Sequence, residues 1–235
     1  MAYKVYLDSG HGGSDPGAVA NNLAEKTINL VQAIECANVL KRHGVNVHTG
    51  SLVDEEISIT TMAKQANDWG ADLVISIHNN AGGGDGFEVF YGYYDNKSKE
   101  LAKYIETEVK KIGQNSRGLK TKRLENGQDY FGMIRMTNAP AVLCEGAFLD
   151  NKTDVKIIDT VEEQKKFGVA YAKGILKMLG IEYKDETTKP ASTPSTSTKV
   201  GLYRVQVGAY AKRENAENKK KELKAKGIES IIVKY

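Results

Sequence analysis

Four side chains in this sequence have the types and placement that hydrolytic chemistry requires. His11 follows the apolar run Val5-Tyr6-Leu7, and His78 ends the run Leu73-Val74-Ile75-Ser76-Ile77. Glu25 stands just ahead of a helical pattern, and Glu145 closes Ala141-Val142-Leu143-Cys144. Two imidazoles and one carboxylate make a His₂Glu zinc set, which leaves a position open for water. Bound zinc activates that water and polarises a carbonyl, and a second carboxylate then has a proton to move. Glu145 is placed for that part. A charge ending a buried strand must face a cleft or a partner, so an ion-paired structural glutamate fits the same residue. His11, Glu25 and His78 lie too far apart in sequence to form a local motif. Position is what favours them, because parallel strands would bring both histidines to one sheet edge. Asp15 is placed to orient a ligand histidine, and Asn79 and Asn80 to line the rim or contact substrate.

The elements that must position these residues alternate between strand and helix. Strands are expected from residue 4 and over 45–49, 73–78, 86–91 and 141–145. Helices are expected over 28–42, 59–69, 98–112 and 163–179, from apolar positions recurring three and four apart. The continuous apolar run before His78 predicts a central strand covered on both faces. The glycines around His11 allow a sharp turn and a close approach to a ligand. Residues 114–130 read as irregular. His43, in the last turn before Gly44, reads as a solvated partner of the helix dipole, and His48 as structural. Together the elements imply an α/β fold: a mainly parallel, mixed twisted sheet wrapped by helices.

Composition bounds the possibilities. The 235 residues suffice for one α/β domain and a small extra unit. No apolar run nears the roughly 18 residues of a membrane span, so no membrane insertion is expected. No secretion signal is visible ahead of the first strand, which predicts synthesis in the cytoplasm. Cys36 and Cys144 lack zinc or redox spacing and read as buried free thiols. Net charge is +3, yet residues 184–235 hold 12 Lys/Arg against 6 Asp/Glu. A basic tail on a mildly acidic body predicts a polyanionic partner such as cell wall. Nucleic acid is the weaker reading, because no nucleic-acid motif accompanies the tail's few tyrosines.

Three segments carry a resemblance: Leu7-Asp8-Ser9-Gly10-His11-Gly12-Gly13-Ser14-Asp15-Pro16-Gly17, Ile75-Ser76-Ile77-His78-Asn79-Asn80-Ala81, and residues 140–151 around Cys144-Glu145-Gly146. The chain is similar over about residues 3–180 to zinc-dependent N-acetylmuramoyl-L-alanine amidases of the amidase-3 family. The resemblance implies zinc (Zn2+) on His11, Glu25 and His78, and Glu145 as catalytic glutamate. It implies hydrolysis of the amide between the lactyl group of N-acetylmuramic acid and L-alanine in peptidoglycan. Family members often carry Thr or Ser where this chain has Gly146. Arg135 matches a family Leu-Arg pattern and reads as a grip on a substrate carboxylate or as a structural ion pair. A zinc carboxypeptidase or peptide amidase is the alternative reading of the same site.

The domain plan expected is a catalytic domain over 1–183, a Ser/Thr/Pro linker over 184–199 and a small βαβ unit over 200–235. Leu202-Tyr203-Arg204-Val205-Gln206-Val207-Gly208 is similar to the opening strand of SPOR-type peptidoglycan-binding domains, which usually contain two βαβ halves. With one half present, the expectation is a homodimer completed by two tails. The resemblance implies a lytic role on the bacterial wall, reached through a phage holin or mother-cell lysis.

Overall fold

The structure is a computed structural model that describes residues 2–185 and 213–225. The chain divides into two units, Met1–Asp185 and Glu186–Tyr235. In the first, β1 (Lys4–Ser9) leads through a small hairpin, β2 (Val19–Ala20) and β3 (Leu23–Ala24), into α1 (Glu25–Arg42). Then come β4 (Asn46–Thr49), α2 (Ile59–Trp69), β5 (Leu73–Asn80), β6 (Phe87–Tyr91), α3 (Asn96–Lys111) and β7 (Ser116–Lys120). The unit closes with α4 (Gly132–Arg135), β8 (Ala141–Phe148), α5 (Lys152–Val155) and α6 (Val161–Met178). The sheet runs in the order β4-β1-β5-β8-β6-β7. Its first four strands are parallel; β6 lies antiparallel to β8 and parallel to β7. This is the mixed, mostly parallel α/β sheet expected from the alternating pattern.

Side chains alternate across each strand, so the two faces differ. Val5, Leu7, Ile75, Ile77, Val142, Cys144, Phe87 and Val89 share the larger core with the apolar stripes of α1, α3 and α6. Tyr6, Val74, Ala141 and Leu143 face the other way and pack with Met62, Ala63 and Ala66 of α2 and Met133 and Ile134 of α4. Farther along that second face the side chains turn polar: Asp8 beside Ser76, and His78, Glu145 and Glu88 in one register row. Ligands of open α/β sheets bind at this carboxyl-terminal edge of the parallel strands.

Several elements differ from expectation. Helix α1 starts three residues early, so Glu25 is its first residue rather than a residue ahead of it. Residues 114–130 contain β7, an edge strand whose Gly118 and polar neighbours give no apolar alternation. His43 is half-buried rather than solvated. Its Nδ1 lies 2.7 Å from the Val39 carbonyl, its Nε2 accepts from the Lys184 N–H, and its ring stacks on Tyr183. His48 is structural, its ring against Tyr6 and Trp69. Cys36 and Cys144 are buried free thiols. In the second unit α7 (Arg213–Ala225) fits the helix of the expected βαβ unit; the strands expected on either side of it lie outside the described residues. No helix among the described residues is long and apolar enough to cross a membrane.

Candidate active site

The loop after β1 and the end of β5 bring three of the singled-out residues together. Ligand atoms of His11, Glu25 and His78 all lie within 4.8 Å of one another. Glycine makes the approach possible. A Cβ on Gly10 would fall 2.1 Å from the His78 ring, and one on Gly17 (φ +63°) would fall 2.6 Å from both Glu25 Oε2 and the His11 ring. His11 itself takes φ +64°, unfavourable for a residue with a side chain and maintained only where surroundings enforce it.

Glu25 is the hub. Its Oε2 accepts from the Ala18 N–H at 2.9 Å and lies 3.2 Å from His11 Nε2. Its Oε1 accepts from the Asn79 N–H at 3.1 Å and lies 3.0 Å from His78 Nδ1. Burial opposes ionisation, but the hydrogen bonds from His11 and His78, with the His78 charge, outweigh it and hold the carboxyl well below its usual range. The first turn of α1 favours the same charge. In return the hydrogen bond to Glu25 pushes His11 up to about 9, against burial and with help from Asp15. Asp15 Oδ2 stands 2.7 Å from His11 Nδ1, turning Nε2 toward the cluster. Burial opposes charge on His78, but Glu25, Glu145 and Asp8 raise its pKa.

Glu145 pairs in register with His78 on one side and with Glu88 on the other. Its Oε2 is buried without a hydrogen-bond partner. Burial, with Glu25 and Glu88 adding to it and His78 and His11 opposing, pushes its pKa up to about 7. Glu88, by contrast, is ion-paired with Arg117 at 2.5 Å and with Lys120. Side by side, then, stand one carboxylate neutralised by cations and one poised to exchange a proton near neutrality.

The remaining expected site residues are placed differently. Asn79 is buried, on the opposite side of its strand from His78. Its amide donates to Asn29 Oδ1 at 2.8 Å and Gln32 Oε1 at 3.2 Å. It therefore braces the sheet against α1, and the rim or substrate contact expected of its side chain is corrected to a structural one. Asn80 stays near the row, its amide 3.5 Å from Glu88 Oε2. Arg135 has no ion pair among the described residues; its Nη1 donates to the carbonyls of Asp129 and Tyr130, both at 2.7 Å. Position 146 faces away from the row, and a Cβ there would fall 2.6 Å from Asn79 Oδ1 and 2.9 Å from the Tyr171 hydroxyl. Sequence reasoning missed Asn29, whose amide bridges the Gly10 carbonyl at 2.9 Å and Glu25 Oε1 at 3.3 Å. The available signal was a polar pair, Asn29 and Gln32, on the core-facing stripe of an otherwise apolar helix.

An imidazole cluster beside a carboxylate titrating near neutrality, at the carboxyl-terminal edge of an α/β sheet, is the equipment of a hydrolase. The chain belongs to the N-acetylmuramoyl-L-alanine amidase family Amidase_3, which it matches over residues 5–177. It also matches the SPOR domain family over residues 170–234. It is 32% identical over 236 residues to the sporulation-specific N-acetylmuramoyl-L-alanine amidase of Bacillus subtilis, spanning 98% of this chain and 84% of that one. It is 32% identical to the endolysin of Bacillus phage SPP1 over 84% of this chain and 74% of that one. The catalytic domain of CwlV, an N-acetylmuramoyl-L-alanine amidase from Bacillus (Paenibacillus) polymyxa, superposes with TM-score 0.69 and 28% identity over 77% of this chain and 99% of that one. Membership makes the chain a hydrolase of the peptidoglycan amide that joins N-acetylmuramic acid to L-alanine.

Proposed function

We propose that the amidase reaction here is zinc-dependent, with the ion held by His11, Glu25 and His78 and with Glu145 as general base. The observation carrying this reading is the convergence of the three donors within 4.8 Å, with Glu145 in register beside one of them. The residues fit the ion. Two imidazole nitrogens and one carboxylate are a hydrolytic zinc set, Asp15 orients one imidazole, and the glycines at 10 and 17 leave the room. Zinc when bound supplies a Lewis acid for the scissile carbonyl and lowers the pKa of water.

The chain's own groups do the rest. Glu145 takes a proton from the attacking water through its unpartnered Oε2 and returns it to the L-alanine nitrogen as the C–N bond breaks. Products are the lactyl carboxylate of muramic acid and a stem peptide with a free L-alanine amine. Asn80 lines the rim of this crevice.

The domain plan follows the same reading: catalysis over 1–183, a linker over 184–199 and a half-length SPOR-like wall-binding unit over 200–235, pairing with a second chain. The SPOR match starts inside α6, where Ala170, Tyr171, Ala172, Ile175 and Leu176 are buried in the catalytic core. A free-standing wall-binding unit therefore begins after that helix. The linker raises the effective concentration of catalytic units on bound wall. The role is wall lysis after holin-type release or mother-cell lysis, supported by the sporulation-specific amidase and the phage endolysin among the relatives.

The test is digestion of purified walls with and without chelator, followed by labelling of freed amino groups. New L-alanine amines that vanish with chelator and return with zinc are expected. Freed terminal amino acids instead would identify a carboxypeptidase, and undiminished clearance in chelator would remove zinc from the mechanism.

A further inference from the structure

A second feature lies on the same sheet face and is not used by the chemistry. From Glu145 the register row passes to Glu88, and two residues along β6 on the same side stands Phe90. The Phe90 ring meets Phe131 at 4.7 Å, and Phe131 meets Tyr130 at 5.2 Å. Lys122 Nζ sits 3.8 Å from the centre of the Tyr130 ring. Next to it Arg123 lies 4.4 Å over Tyr93 and 5.5 Å over Tyr94, and those two rings touch edge to face at 4.7 Å. One set of contacts thus leads outward from Phe90 to Tyr130 and Lys122, and a second joins Arg123 to Tyr93 and Tyr94 on the neighbouring limb.

The outer end of these contacts is exposed yet firmly built. Tyr94 is 82% exposed, Tyr93 46% and Tyr130 44%. Lone exposed aromatics are ordinary, but a contiguous patch of them marks an interaction site. Residues 122–130 form a tight hairpin, with Arg123 bridged to Asp129 and the Tyr130 N–H donating to the Lys122 carbonyl at 2.9 Å. The Tyr93 N–H donates to Asp129 Oδ1, which ties the hairpin to the end of β6. Arg135, through the Asp129 and Tyr130 carbonyls, braces the return limb that presents Tyr130. The rings are thus preorganised, which lowers the entropy cost of binding.

We propose that Tyr93, Tyr94 and Tyr130, with Lys122 and Arg123, form a subsite for the glycan strand of peptidoglycan beyond the muramoyl unit being cleaved. The inference rests on the amidase reading. Pyranose rings present apolar C–H faces that stack on aromatic rings, and tyrosine adds a polar edge for their hydroxyls. The two cations complement the carboxylates that neighbouring stem peptides carry. Tyr91 of β6 pairs with Val142, three residues from Glu145. Tyr93 follows Tyr91 by two residues, so at about 3.3 Å per residue that end of the platform lies about 16 Å along the sheet from the base, in reach of sugars farther along one strand.

The test compares full-length parent, Tyr93→Ala/Tyr94→Ala and Tyr94→Phe on three substrates: intact walls, walls stripped of covalently attached anionic polymers, and a soluble monomeric N-acetylmuramoyl peptide. Parent activity on the monomer checks the amidase reading separately. The double variant should show KM raised about tenfold on both walls, with kcat/KM on the monomer within about twofold of the parent. Tyr94→Phe should behave as the parent, because the ring and not the hydroxyl stacks. An unchanged KM on walls, or a Phe variant as weak as the double variant, overturns the proposal. An equal loss on the monomer does so too. A defect confined to walls that keep their anionic polymers would assign the patch to those polymers and overturn the glycan reading.

Discussion

Replacing Glu145 by Gln should cut turnover by orders of magnitude and make the metal-free protein more stable. Glu145 is buried in a row with His78 and Glu88, its Oε2 has no partner, and burial raises its pKa from 4.5 to about 7. A carboxyl whose folded-state pKa is raised binds more protons when folded than when unfolded. Stability therefore falls as pH climbs from 4.5 through about 7 and stays low above it. At 1.36 kcal/mol per pH unit, the ionised carboxylate costs the fold about 3 kcal/mol at pH 8 and almost nothing at pH 4. Gln keeps the shape and deletes the charge. In chelator, Glu145→Gln should melt roughly 6–12 °C above the parent at pH 8 and near it at pH 4. Wall hydrolysis by the zinc-loaded variant should drop about 10²–10⁴-fold, the contribution of a positioned general base. Differential scanning calorimetry at both pH values and amine release from walls read the two effects. A variant no more stable at pH 8, or equally stabilised at both values, would refute the electrostatic argument. Unimpaired hydrolysis would refute the catalytic one.

Two further outcomes follow from the same cluster. His11 holds a proton up to about 9 because of Glu25, so a cation must displace that proton at neutral pH. Apparent zinc affinity should rise at least about tenfold per pH unit between roughly 6 and 9, and chelator-competition titrations showing a flat profile would contradict this. Asn29→Leu would strip partners from Gly10, Glu25 and Asn79 together. Zinc binding should weaken about 10–100-fold and the fold lose about 2–4 kcal/mol, with urea unfolding and metal titration as the readouts and a parent-like zinc affinity as the contrary result.

What the sequence disclosed depended on whether a residue's role shows in its neighbours. His11 and His78 stood out because each follows an apolar run that could only be a buried strand. The glycines at 10 and 17 advertised a crowded loop, and the structure shows what crowds it. Strand β7 was illegible because an edge strand needs backbone partners more than apolar side chains, and Ser116-Arg117-Gly118 supplies only the former. Asn79 misled because it adjoins a candidate ligand histidine; strict alternation already puts adjacent strand residues on opposite faces. The hold of Arg135 on two backbone carbonyls left no trace in the sequence, because a guanidinium reads first as a partner for carboxylates. The tie between Asn29 and Glu25 was accessible, four residues apart on one helix, but polar residues on a core stripe mean little until their partners are seen.

The clasp at His43 bears on reach. Tyr183 and Lys184 are fastened to the last turn of a helix whose first residue is Glu25. Eighteen helical residues separate the two ends, about 27 Å at 1.5 Å each. The described part of the first unit therefore ends about one helix length from Glu25, on the side of α1 away from the candidate site.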